Sequence, residues 1–215
     1  METFKLNLTS LQNKIFRFLC INAGKNFNLS EIARNLKVSP TAVAKALVNL
    51  KKEEIVLVKE NSYMNLLSIE LNLENQRVME LKRVENLSMI YESGIISFLS
   101  EHLPGTTIIL FGSYSRGDDL FNSDIDLAII GKTKSYFLKL TKIGKKLGAV
   151  IPMESSLKKG DKVEIKRVDY LSQFEKILKK KITLNFYNNL NHMDKNLRNN
   201  LLNGVVLSGV LELWY

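Results

Sequence analysis

Gly112-Ser113, Arg116 and the acids of Asp124-Ile125-Asp126 are the residues of this chain whose types and spacing can do chemistry together. The Gly-Ser pair ends "TTIILF" (106–111), a β-branched apolar run that reads as a buried strand. Glycine lets the backbone approach a ligand closely because no Cβ intervenes. The residues after Ser113 can open a short helix whose free N–H groups and dipole favour phosphate. The Ser113 hydroxyl adds a donor, and Arg116 supplies a fixed cation for an anionic substrate. In "SDIDLAII", strand alternation puts Asp124 and Asp126 on one face and Ile125, Leu127 and Ile129 on the other. Two residues of rise separate the aspartates by about 6.5–7 Å at Cα. Carboxylates at that spacing can bracket two divalent ions about 3.5–4 Å apart. Magnesium suits such hard oxygen ligands and takes the rest of its shell from water and substrate phosphates, with Mn²⁺ as an alternative ion.

A Gly-Ser turn alone, or Asp-x-Asp alone, is a weak signal, since alternating acids most often form a solvated strand face. Here ten residues (114–123) separate Ser113 from Asp124, and a strongly apolar run follows Asp126. A solvated face accounts for neither. The combination resembles the nucleotidyltransferase superfamily that includes DNA polymerase β, tRNA CCA-adding enzymes and aminoglycoside nucleotidyltransferases. The interval between Ser113 and Asp124 is similar to that of its minimal nucleotidyltransferase group. The resemblance spans roughly residues 92–170. It implies a mixed sheet with flanking helices, a nucleoside triphosphate substrate such as ATP, and two Mg²⁺ ions. It also implies a third carboxylate on a later strand. In "KVEIKRV", Glu164 and Lys166 alternate with Val163 and Ile165, which makes Glu164 the first candidate, with Asp169 and Glu154 as rivals. Minimal nucleotidyltransferases often act as antitoxins that adenylylate a HEPN partner, so the resemblance implies a protein hydroxyl such as tyrosine as one acceptor. The chain is short for the additional RNA-gripping domains of CCA-adding enzymes.

Elements ahead of the motif carry a second signal. "LQNKIFRFLCINA" places Leu11, Ile15, Leu19 and Ile21 on one helical face, and Asn28 and Glu31 have capping-box spacing ahead of Ile32, Ala33 and Leu36. Ser39 and Pro40 suit the N-cap and first turn of a helix with Val43, Leu47 and Leu50 inward. "IVLVKENSYMNLLSIELN" reads as two strands around the turn "KENS". The order "LSEIARNLKVSPTAVAKALVNLKKEEIV" resembles the second and recognition helices of winged helix-turn-helix regulators, over roughly residues 8–72. Glu53-Glu54 stands where such domains often place a glycine. The resemblance implies a recognition helix in the major groove of DNA. With Val43 and Leu47 inward, Thr41, Lys45, Asn49 and Lys52 follow the outward stripe, the lysines suited to phosphates and Thr and Asn also to base edges. A fold of this kind can instead serve protein contacts, a homodimer included.

Between the two units, Leu81, Val84, Leu87, Ile90 and Tyr91 recur at three- and four-residue steps, which predicts one long helix ended by "LPG" (103–105). The expected fold class is therefore α+β: an N-terminal winged helix domain (1–72), a connecting helix (73–102) and a nucleotidyltransferase-fold domain with a mixed sheet and flanking helices (103–215). Beyond it, "KSYFLKLTKIGKKLG", "YLSQFEKILKKK" and "NHMDKNLRNN" read as helical, and "KILKKK" as a solvated face.

A formal net charge of +9 favours polyanionic partners. The single cysteine, Cys20, excludes an internal disulfide and lies in an apolar helical pattern that predicts a buried thiol. His102 and His192 stand alone, without metal-ligand spacing. No run of about 18 apolar residues predicts a membrane span, and the first residues lack a signal-peptide pattern, so the expected location is the cytoplasm.

Overall fold

The computed structural model describes residues 7–61, 66–131, 163–165, 171–190 and 193–211. The chain divides into two compact units, Met1–Glu85 and Asn86–Tyr215.

Three helices and a hairpin build the first unit in the winged-helix order. They are α1 (Ser10–Ile21), α2 (Leu29–Leu36), α3 (Pro40–Lys52), β1 (Val56–Asn61) and β2 (Leu66–Leu71). Each helix starts where a side chain satisfies its free N–H groups. Thr9 and Gln12 form a capping box on α1, Asn28 and Glu31 form another on α2, and Ser39 caps α3 ahead of Pro40. The inward faces meet in one core that contains Ile15, Leu19, Ile32, Val43, Leu50, Ile55 and Ile69. Burying each such side chain contributes about 1.5–3 kcal/mol relative to exposure. Cys20 is buried in the same core and forms no disulfide.

At the entry to the hairpin, Glu54 adopts φ +54°, the left-handed conformation that glycine would take without a Cβ penalty. The antiparallel register runs from Val56 opposite Leu71 to Asn61 opposite Leu66. Lys59, Glu60 and Asn61 therefore belong to β1, which extends through three of the four residues of "KENS". On the hairpin, Glu70 accepts a 2.7 Å hydrogen bond from Lys59. That bond, with the charge of Glu70, raises the lysine above its ordinary range.

The expected long helix is two helices, α4 (Gln76–Ser93) and α5 (Ile95–His102). Gly94 at φ +79° separates them, and the Ser93 hydroxyl donates to Ile90 O (2.7 Å) while accepting from Ile95 N (3.3 Å). The buried stripe of α4 also differs from the expected one. Val78, Lys82, Asn86, Met89, Ile90 and Ser93 are buried, whereas Val84 and Tyr91 are exposed. Ile90 is inward as expected and Leu81 and Leu87 are half-buried, but polar side chains take the remaining inward positions, which an apolar count does not register.

The second unit holds a five-stranded mixed sheet. Its strands are β3 (Thr107–Phe111), β4 (Ile125–Ile130), β5 (Val163–Ile165), β6 (Ile182–Tyr187) and β7 (Val205–Ser208), in the order β5-β6-β4-β3-β7. Three short helices accompany them: α6 (Ser113–Arg116), α7 (Ser172–Leu178) and α8 (Lys195–Leu202). β3 is buried along its whole length, as its β-branched composition predicts. β4 runs antiparallel to β3 and parallel to β6. β6 was not expected, although "ITLNFY" alternates in the manner of a strand and packs Leu184 and Phe186 fully inward. On one side of the sheet Ile109, Phe111, Ala128 and Tyr187 pack with Leu201 of α8. The helix expected over "KSYFLKLTKIGKKLG" lies outside the described residues.

Candidate functional site

Gly112 leaves the end of β3 at φ +76° and ψ −161°, a combination accessible essentially to glycine alone. β3 and β4 are in register with Phe111 opposite Asp126, so the Gly-Ser turn stands directly beside that acid. A Cβ added at Gly112 would lie 2.9 Å from Asp126 Oδ2. The close approach available to a backbone without Cβ is thus directed at this carboxylate. α6 follows at once, with the Ser115 hydroxyl donating to Gly112 O (2.8 Å) and Gly117 N donating to Ser113 O (3.0 Å). Ser113 itself is half-buried.

Asp126 is half-buried within β4, whereas Asp124 precedes the strand by one residue and is exposed. Alternation still relates them through Ile125, which is fully buried and whose N–H donates to Lys181 O (2.8 Å). Arg116 is exposed and pairs with Asp118 across 3.1 Å. An exposed pair of this kind is worth about 0–1 kcal/mol, so the guanidinium can exchange Asp118 for a phosphate at little cost.

Sequence reasoning missed what holds the segment between the two motifs. Asn86 of α4 donates from Nδ2 to Tyr114 O (3.0 Å) and to Asp119 Oδ1 (2.7 Å), and both side chains are fully buried. Lys180 Nζ stands 3.3 Å from Asp119 Oδ2 and also donates to Leu120 O. Lys180 departs from the reading of "KILKKK" as a solvated face, because its side chain is 1% exposed, whereas Lys176, Lys179 and Lys181 are exposed as expected. A lysine two residues before a strand carries no local mark of burial, and the buried Asp119 and the carbonyl of Leu120 make it tolerable.

The strand register bears on the candidate third acid. Asp126 lies beside Thr183 of β6, and Ala128 beside Asn185. Glu164 of β5 stands opposite Asn185 on the far side of β6. Two strand spacings, about 9.5 Å, therefore separate its strand from β4. Asp169 and Glu154 lie outside the described residues, as does His192. His102 places Nδ1 2.8 Å from Phe98 O. Among the described residues, no group of three or more His, Cys, Asp or Glu side chains is assembled to hold a metal. The donor set that is present, two carboxylates and a hydroxyl beside a glycine cradle, has the chemistry of a hard divalent cation.

On α3, Thr41, Lys45 and Lys52 are exposed as expected, and Asn49 is half-buried. Val43 and Leu47 face the core.

Residues 92–194 match the family model described as nucleotidyltransferase domain. A search of curated proteins gives no match. Among solved structures, the chain is similar to a double mutant of Lactococcus lactis ZitR at 21% identity and TM-score 0.35, covering 46% of this chain and 62% of that one. A DNA complex of another L. lactis ZitR mutant shares 25% identity at TM-score 0.31, covering 47% and 77% of the two chains. For the S. aureus MepR–DNA complex the values are 16%, 0.34, 45% and 78%. No helix of the described residues is long and apolar enough to cross a membrane. The chain thus carries a nucleotidyltransferase domain match over 92–194, directly behind a winged-helix unit.

Proposed function

We propose that the chain is a Mg²⁺-dependent nucleotidyltransferase that moves a nucleoside monophosphate from a triphosphate such as ATP to an acceptor hydroxyl, and that its winged helix binds DNA. The observation that carries the enzymatic reading is the placement of the Gly112 turn against Asp126. Gly112 and Ser113 would cradle phosphate oxygens, and Arg116 would leave Asp118 for the anionic substrate. Asp124, Asp126 and Glu164 would hold the metal, Mg²⁺ or Mn²⁺. When bound, the metal supplies charge neutralisation on the phosphates and acidifies the acceptor. The chain's remaining task is positioning, which the buried Asn86, Asp119 and Lys180 perform for the loop leading to Asp124. A HEPN-type protein presenting a tyrosine is the acceptor class that the family resemblance implies.

The test is incubation with Mg²⁺ and labelled nucleoside triphosphates, with and without cell extract. A labelled product that disappears in Asp124→Ala and Asp126→Ala supports the reading. Binding without turnover in any extract would leave the second reading, a DNA-binding regulator or antitoxin that senses nucleotide. One observation favours that alternative: β6, the immediate neighbour of β4, offers Thr183 and Asn185 beside Asp126 and Ala128, and no carboxylate.

For the winged helix, exposed Lys45 and Lys52 suit phosphates. Lys45→Ala should weaken DNA binding and reduce the salt slope by about one. A parent chain without salt-dependent DNA affinity rejects this half of the proposal.

A further inference from the structure

Val48 is the residue of α3 that phosphate contact leaves without a role. Its side chain is 72% exposed, while Val43, Ala46, Leu47 and Leu50 of the same helix are buried. Helical spacing makes Ala44, Lys45, Lys51 and Lys52 its surface neighbours, at three and four residues. The three lysines are exposed, so the valine methyl groups sit within a frame of ammonium groups. A second copy of this face would bring like charges together, which disfavours self-association through it. A DNA duplex satisfies both features, with phosphates for the lysines and the C5-methyl group of thymine as an apolar surface in the major groove. Valine in a helix is held in one χ1 rotamer, so such a contact loses little side-chain freedom.

We propose that Val48 reads a thymine through its C5-methyl group, giving α3 a preference for one T·A base pair. The inference rests on the DNA reading above and adds to it a named base and a named atom.

The test begins with duplexes selected on the full chain from a random-sequence pool. Each thymidine is then replaced singly by deoxyuridine, which lacks only the methyl group. One position should lose about fourfold in affinity, the worth of one buried methyl. In Val48→Ala that ratio should fall to one, while the salt slope and the melting temperature stay as in the parent. The inference is overturned if no thymidine is sensitive, if the sensitivity persists in Val48→Ala, or if salt-dependent binding shows no sequence preference. Absence of salt-dependent binding in the parent removes the DNA reading and the inference together.

Discussion

A Cβ built on Gly112 would stand 2.9 Å from Oδ2 of Asp126, closer than side-chain carbons come to such atoms. Two motifs separated along the chain are therefore one structure: the turn proposed to cradle phosphate is shaped by the acid proposed to hold metal. Gly112→Ala should disturb both. Its φ of +76° with ψ −161° adds strain of about 1–3 kcal/mol, and the displaced Asp126 adds a further loss. Because the turn and the carboxylate would both be shifted, Mg²⁺-dependent triphosphate affinity should fall at least about tenfold, a binding loss of about 1.4 kcal/mol. Calorimetric titration measures it, and parent-like affinity would separate the turn from the site.

Asp119 and Lys180 should behave as one unit. Both are almost wholly buried, so removing one charge strands the other at a cost of about 3–5 kcal/mol. Lys180→Met should show such a loss in urea unfolding. Lys180→Met combined with Asp119→Asn should cost clearly less than the sum of the single changes, because neither charge is then left unpaired. Additive single costs would show that the pair is not coupled.

Much of this architecture was legible because it follows local rules. Asn28 with Glu31 and Ser39 with Pro40 mark helix starts through atoms within three residues, and the structure has both caps. Gly112 and Asp126 are marked by the apolar strands that carry them. What stayed hidden depends on distant chain segments. β6 lies beside β4 through a parallel crossover that its own residues do not announce. Lys180 is buried because of Asp119, sixty-odd positions earlier, and Asn86 because of Tyr114 and Asp119. The same polar inward positions left Val84 and Tyr91 outside, where an apolar pattern alone predicts them inside.

Glu54 offers a stability test of the turn into the wing. It holds φ +54° where glycine would be unstrained, and its carbonyl accepts from Asn72 Nδ2 at 2.9 Å, a bond that any residue preserves. Its carboxylate has one exposed 3.4 Å contact with Asn75. Glu54→Gly should thus relieve strain of about 1 kcal/mol and lose little on the surface. Chemical denaturation should show a stabilised chain, and a loss above about 1 kcal/mol would mean that the carboxylate matters more than the backbone.

The third acid can be tested by moving it. If Glu164 completes the site from β5, Glu164→Gln should lower turnover by about a hundredfold, the scale of one charge-stabilising group, with a smaller change in triphosphate affinity. Thr183 lies one strand spacing from Asp126, against two for the strand of Glu164. Thr183→Asp would set a carboxylate beside Asp126 and, on the Glu164→Gln background, should recover at least about tenfold of the lost rate. In the otherwise unchanged chain the same substitution should slow turnover, because an added carboxylate next to two others brings a third like charge into the site. Single-turnover assays at fixed Mg²⁺ distinguish these outcomes. Full activity in Glu164→Gln would remove Glu164 from the site, and a gain from Thr183→Asp alone would mark the natural site as one carboxylate short.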